Sequence, residues 1–486
     1  MSINNNKQDY SLKQSSFFKL SNESKYLFNI YKSQQFKSIY NLFDNHNHDD
    51  LKHLLNKLYL EFKEHEPTIN KINIENSRRV IPIEKARIKI THILETIFSN
   101  TRYIDSAIVD YIKTNINESK MISYENIIHG QTFSFNFITY NKINTKKLDE
   151  CVKAMLLILQ VIINISNNSI TTHNNKNVCN MDGIQITIFM TSFAKQFILN
   201  SNIILGAKNI NSGLTYPCLK MGEIYIYRKQ EFFKVFIHEA LHSYNVDKLL
   251  HNNYNSNSYY QTLIGTFNIN INSNSYKNIG LNEAVTEFWT FIIHIFINSY
   301  YNSLNFNKLI ELFEKAYKYE SIHSSFQVAK ILHVYKLNYA QFLTTFKNDG
   351  SASYSETSHV LSYIFFKTLL IYNAHKVINS NLFNFKMQSI DNTQKIDITL
   401  NPNTNSITNL FIQLKNYSLN NKTLAIINNC CIIYNKYYTN LFKTAKKMTA
   451  KRVQSVRPYT KKHVIKANSK KYLLTNLNFM LADFRY

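Results

Sequence analysis

His238 and His242 stand four residues apart in the run Val235-Phe236-Ile237-His238-Glu239-Ala240-Leu241-His242. On a helix such residues share a face, so both imidazoles can reach one point in space and form two-thirds of a metal seat. Glu239 projects roughly 100° away around the helix, beside a metal ion and not on it. There a carboxylate can take the proton of a water that zinc has acidified to a pKa of about 7, the chemistry of attack on a carbonyl. Uncharged Ala240 and Leu241 inside the motif and Tyr244 after it suit a buried helix. The competing reading is a helix with two incidental surface histidines.

A catalytic zinc site takes three protein ligands and leaves a fourth position open. A metzincin places Gly and His at the third and sixth residues after the second histidine, where this chain has Asn245 and Lys248, so that class is excluded. Downstream, Asn282-Glu283-Ala284-Val285-Thr286-Glu287 opens a helical pattern with Glu283 and Glu287 one turn apart. Glu283 can complete the metal site. Glu287 and Asn282 then lie where they can support the ligands, Glu287 by accepting from the far nitrogen of a ligand histidine.

These two motifs, some forty residues apart, resemble those of the gluzincins, HExxH metallopeptidases whose third ligand is a Glu on a later helix. The resemblance covers roughly residues 130 to 300. It implies a zincin fold, one Zn²⁺ held by His238, His242 and Glu283, Glu239 as base, and a peptide or protein substrate. The Gly-Ala-Met-Glu-Asn motif of gluzincin aminopeptidases is missing, so cleavage inside the substrate chain is expected. The family adds a Tyr or His that stabilises the oxyanion, for which Tyr354, His359 and Tyr363 are the candidates. Zincins also align the substrate on an edge strand, and Ser212, Gly213 and Leu214 are the residues expected to serve there. His294, inside an apolar run, reads as a core residue.

The elements that must position these groups follow from hydrophobic period. Thr132 to Tyr140, Ile184 to Met190 and Glu223 to Tyr227 read as strands, and Leu148 to Ile165, Glu231 to Tyr244, Asn282 to Tyr300 and Thr357 to Tyr372 as helices. The fold class is therefore α+β: a small mixed sheet, a backing helix, the HExxH helix and the Glu-ligand helix. Three regions are expected: a helical N-terminal region (1–128), the metallopeptidase domain (129–378) and a helix-rich C-terminal region (379–486). His251 to Lys277, rich in Asn, Ser and Tyr, reads as a long loop.

The 486-residue chain carries a net charge of +24 with only 8 Gly, 5 Pro and 1 Trp. Such a skew toward Asn, Ile, Lys and Tyr is what an AT-rich genome writes, and resembles proteins of large DNA viruses and some protists. Residues 443–471 are basic with no acidic residue, which makes nucleic acid a candidate partner through that segment. Five cysteines without CxxC spacing predict reduced thiols. The polar N-terminus lacks a signal peptide, and the apolar runs Met155 to Ile165 and Phe288 to Ile297 are shorter than a bilayer span. The expectation is an intracellular enzyme, cytoplasmic or virion-associated. Its rivals are a catalytically silent zinc-site protein serving as a structural or virion component, and a basic nucleic-acid-associated protein.

Overall fold

Six strands form one mixed sheet: β1 (Arg78–Ile81), β2 (Lys120–Ile128), β3 (Gln131–Thr139), β4 (Gly183–Phe189), β5 (Gly213–Tyr216) and β6 (Met221–Ile226), in spatial order β1-β2-β3-β4-β6-β5. The computed structural model describes residues 18–477 apart from 19–20, 44–48, 171–178, 180, 198, 200–203, 248–278, 345–353, 355, 380–382, 385–386, 391–392, 397–398, 401–403 and 455–470. The chain is α+β.

β2 and β3 form an antiparallel hairpin closed by His129 and Gly130, both at positive φ (51° and 80°). That is the two-residue turn whose twist matches the flanking strands, and glycine takes its half without steric cost. The long helix Thr145–Ile170 then carries the chain back, so that β3, β4 and β6 run parallel. β5 returns antiparallel to β6 and occupies the edge.

Strand alternation sorts side chains to two faces. Phe133, Phe135, Phe137, Ile186, Ile188 and Ile226 are fully buried in the larger core, together with Met155, Leu156 and Leu159 of the backing helix and Phe232 and Phe236 of the HExxH helix. On the opposite face Ile138, Phe189 and Tyr227 pack against Ile90, Ile108 and Ile112 from the helices Ile83–Ile93 and Ser106–Thr114. Helices therefore cover both faces.

The three regions expected from sequence share this architecture instead of dividing it. β1 and β2 belong to the sheet, and the boundary between 128 and 129 falls inside the β2–β3 hairpin. Leu55 and Phe62 of the helix Asp49–Lys71 enter the same core as the helix Leu281–Tyr301, with the Phe62 and Phe296 rings 5.0 Å apart. From the C-terminal side, Tyr434 packs on Phe326 at 5.6 Å, and Leu473 and Leu474 are fully buried.

Two local departures matter. The helix expected over Thr357 to Tyr372 begins only at Val360, and its stretch Ser362–Phe366 is wound as a π-helix before α-helix resumes at Lys367–Tyr372. Cys179 and Cys218 form a disulfide, with Cα atoms 4.9 Å apart, which corrects the expectation of reduced thiols: the sheet brings together two residues 39 apart in sequence. Cys151 and Cys430 are free and buried. The loop expected over His251 to Lys277 lies outside the described residues. So does most of the basic segment 443–471, whose first part is described only as the backbone end of the helix Asn421–Gln454. Among the described residues no helix is long and apolar enough to cross a membrane.

Candidate metal centre

The HExxH helix runs Phe232–Ser243 and is almost wholly buried, as its apolar flanks require. Packed beside it is the helix Leu281–Tyr301, with Glu283 in its first turn. The facing sides match in charge: Lys234 pairs with Glu287, and His238 lies between Glu283 and Glu287 with its Nε2 3.3 Å from Glu283 and its Nδ1 3.3 Å from Glu287. Burial alone would raise Glu287, but Lys234 and then His238 pull its carboxyl down to about 2.

His238, His242 and Glu283 form a cluster whose ligand atoms could hold a metal ion. The two Nε2 atoms are 3.0 Å apart, and Glu283 Oε2 is 3.3 Å from each. A tetrahedral ion with bonds of about 2.0–2.1 Å separates its ligand atoms by roughly 3.3 Å, so the triangle fits such an ion seated just off its plane. Two imidazole nitrogens and a carboxylate oxygen make a donor set suited to a borderline divalent cation.

Sequence reasoning missed the residue that orients His242. The helix ends in a reversal in which Asn245, at φ 57°, donates to His242 O (2.8 Å) and Val246 donates to Leu241 O (3.0 Å). These are the paired bonds of a Schellman cap. The reversal turns Asp247 back toward the helix, placing its Oδ2 2.9 Å from His242 Nδ1. Asn282 joins the support, with its Nδ2 3.4 Å from Asp247 Oδ2 and 3.5 Å from Glu283 Oε1. The sequence signal was present: an Asn fit for a left-handed cap, followed by a carboxylate.

A cleft of about 450 Å³ opens over the cluster, lined by Glu239, Gly213, Leu214, His359, Tyr363, Arg102 and Tyr103. Burial pushes the Glu239 carboxyl up to about 8, with Glu283 and Glu287 adding to the rise and His242 and Lys234 opposing it. A bound cation would draw it back down. Tyr363 sits in the π-helical turn, its ring 5.7 Å from that of His238. Burial first, then the Glu283, Glu239 and Glu287 carboxylates, hold its phenol well above the usual value, so it is a hydrogen-bond donor at neutral pH.

Of the three oxyanion candidates, the structure brings His359 and Tyr363 to the cleft and not Tyr354. That side chain is fully buried elsewhere, its ring tilted against that of Tyr335 at 4.6 Å and its hydroxyl donating to Glu356 Oε2 at 2.6 Å. His294 lies in the core beside Phe233, away from the cluster.

β5 presses directly on the HExxH helix. A Cβ on Gly213 would stand 2.8 Å from both Val235 Cγ1 and Glu239 Oε1, so only glycine lets the edge strand approach this closely. Buried Arg228 fixes the segment leading into the strand by donating to the carbonyls of Asn211 (2.8 Å), Lys208 (2.8 Å) and Ala194 (2.9 Å). Ser358 donates to Asn211 Oδ1 at 2.7 Å, tying that segment to the turn that carries His359. Compared with protein-family models, curated proteins and solved structures, the chain matches none.

Proposed function

We propose that the chain is a zinc-dependent peptidase of the gluzincin type that cleaves internal peptide bonds. The observation that carries the reading is the convergence of His238, His242 and Glu283 on one point, with Glu239 beside it in an open cleft. Structural zinc sites are closed by four protein ligands, whereas here three converge and the remaining side faces the cleft. Zinc bound there would supply Lewis acidity for the scissile carbonyl and for the attacking water.

The chain's own groups then have definite tasks. Glu239 accepts the water's proton and passes it to the leaving amine. Tyr363 and His359, which line the cleft with Glu239, donate to the oxyanion. β5 offers an edge along which an extended peptide can pair, and its position against the HExxH helix supports the zincin reading of the core. The disulfide favours a virion over a reducing cytoplasm as the place of action.

Metal analysis together with Glu239→Gln tests this. One zinc per chain is expected in both proteins, and peptide hydrolysis in the wild type that falls by roughly 10²–10⁴ in the variant. A wild type that holds zinc and hydrolyses no peptide would overturn the proposal in favour of a silent zinc-site protein.

A further inference from the structure

Outside His238, Glu239 and His242, the helix Phe232–Ser243 carries apolar or small side chains with one exception, Lys234. Lys234 is 3% exposed and its partner Glu287 4%. Burying an ion pair adds little net stability, and well-packed apolar residues in its place often do as well or better. The best-attested benefit of such a pair is register: a slip of the two elements leaves buried charges without partners.

The register held here is the one the metal centre needs. Lys234 lies one turn before His238, and Glu287 one turn after Glu283. The contacts run in opposite chain directions along the two helices: Glu287 meets Lys234 and His238, and Glu283 meets His238 and His242. His238 is common to both sets, so a displacement of one turn, about 5.4 Å, would break them together. Both printed contacts of Glu287 also fall on one oxygen. Oε1 pairs with Lys234 Nζ and stands 3.3 Å from His238 Nδ1, while Oε2 makes no hydrogen bond among the described residues. The buried Nδ1 of His238 has no hydrogen bond among them either. When Nε2 serves as a ligand the proton sits on Nδ1, and Glu287 Oε1 is the acceptor in reach.

We infer that Lys234 is a positioning residue of the metal centre: by pinning Glu287 Oε1 it holds His238 in its ligating pose and keeps Glu283 level with the two histidines. The inference rests on the zinc reading of the cluster, not on what the zinc protein cleaves. Zinc affinity of the full-length chain is therefore measured by competition with a chromogenic chelator in four proteins: wild type, Lys234→Met, Glu287→Gln and the double variant. Lys234→Met should weaken zinc binding by roughly 10-fold. The double variant should bind as Glu287→Gln does, because Lys234 acts through a carboxylate already removed. Unchanged affinity in Lys234→Met overturns the inference, and so do losses that add in the double variant. If losing the lysine unfolds the single variant, the double variant, which leaves neither charge of the pair behind, still decides: affinity below that of Glu287→Gln overturns the inference.

Cobalt in place of zinc separates position from stability, since its visible absorption follows coordination geometry. The spectrum should change in Lys234→Met and stay that of the wild type in Lys195→Met, which removes another buried lysine, one that pairs with Glu231 at 2.9 Å. A wild-type spectrum in Lys234→Met, or the same change in both variants, overturns the inference. A wild type that takes up no zinc overturns the metal centre and the inference together. Zinc binding that depends on Lys234 in a protein that hydrolyses no peptide keeps the inference and removes the peptidase, whereas zinc binding and hydrolysis indifferent to Lys234 do the reverse.

Discussion

Asp247 Oδ2 lies 2.9 Å from His242 Nδ1, while the same ring turns its Nε2 toward His238 and Glu283. The carboxylate therefore fixes which nitrogen carries the proton and which lone pair faces the cluster. Asp247→Ala should weaken metal affinity by roughly 10–100-fold, read by competition against a chromogenic chelator. Asp247→Asn, which keeps an acceptor, should lose less. Equal affinity in all three proteins would show that the contact does not support the site.

Gly213→Ala adds one carbon where Val235 Cγ1 and Glu239 Oε1 already stand 2.8 Å from the new atom. The strand must withdraw or Glu239 must rotate. A loss of about 1–3 kcal/mol in unfolding free energy is expected, with a fall in kcat larger than the change in zinc content explains. Wild-type melting and turnover in this variant would mean that the edge strand is free to shift.

Stability should fall in acid partly through His294. Burial first, then Lys234, bring its imidazole from the ordinary 6.5 down to about 3. Above pH 6.5 the ring is neutral in both folded and unfolded chains and adds no slope. Below it the unfolded chain gains a proton that the folded chain refuses, so stability drains by up to about 1.4 kcal/mol per pH unit until near pH 3. In His294→Phe that component disappears. Between pH 7 and pH 5 the wild type should lose about 2 kcal/mol more than the variant in denaturant melts, and equal losses would place the pKa elsewhere.

The Cys179–Cys218 bridge closes a 39-residue separation. Chain-entropy arguments give such a link about 4 kcal/mol over the reduced form. A non-reduced digest should yield the two peptides joined, and Cys218→Ser should lower the melting temperature in oxidising buffer but not in reducing buffer. Equal melting in both buffers for the wild type would count against the bridge.

Much of the layout was legible because its signals were periodic. The alternation at Phe133, Phe135 and Phe137 and the apolar stripe from Leu148 to Ile165 each map onto an element. β2 escaped because its pattern breaks: Asn126 is buried and Ile127 is exposed, the inverse of what polarity suggests. β1 is four residues long, too short to show a period. At the site, His238, Glu239 and His242 are visible as spacing on one helix, and Glu283 as a matching face on another. Asp247 lies beyond the last helical turn, where only the chain reversal at Asn245 brings it back. Lys234, Lys195 and Lys367 look like solvated surface charges in a basic chain, and nothing local announces that three ammoniums meet inside.

The attachments of the β5–β6 hairpin give the cleft one braced wall. Cys218, in the hairpin turn, donates its N–H to Ser243 O at 3.0 Å at the end of the HExxH helix, and its sulfur is joined to Cys179 ahead of β4. Arg228 clamps the other end. The rail along which a peptide would lie is thus braced at both ends to the scaffold that carries the histidines. The π-turn around Tyr363, which lines the same cleft, breaks the regular helical ladder. In the proposed peptidase, alignment of the bond would fall to this braced hairpin.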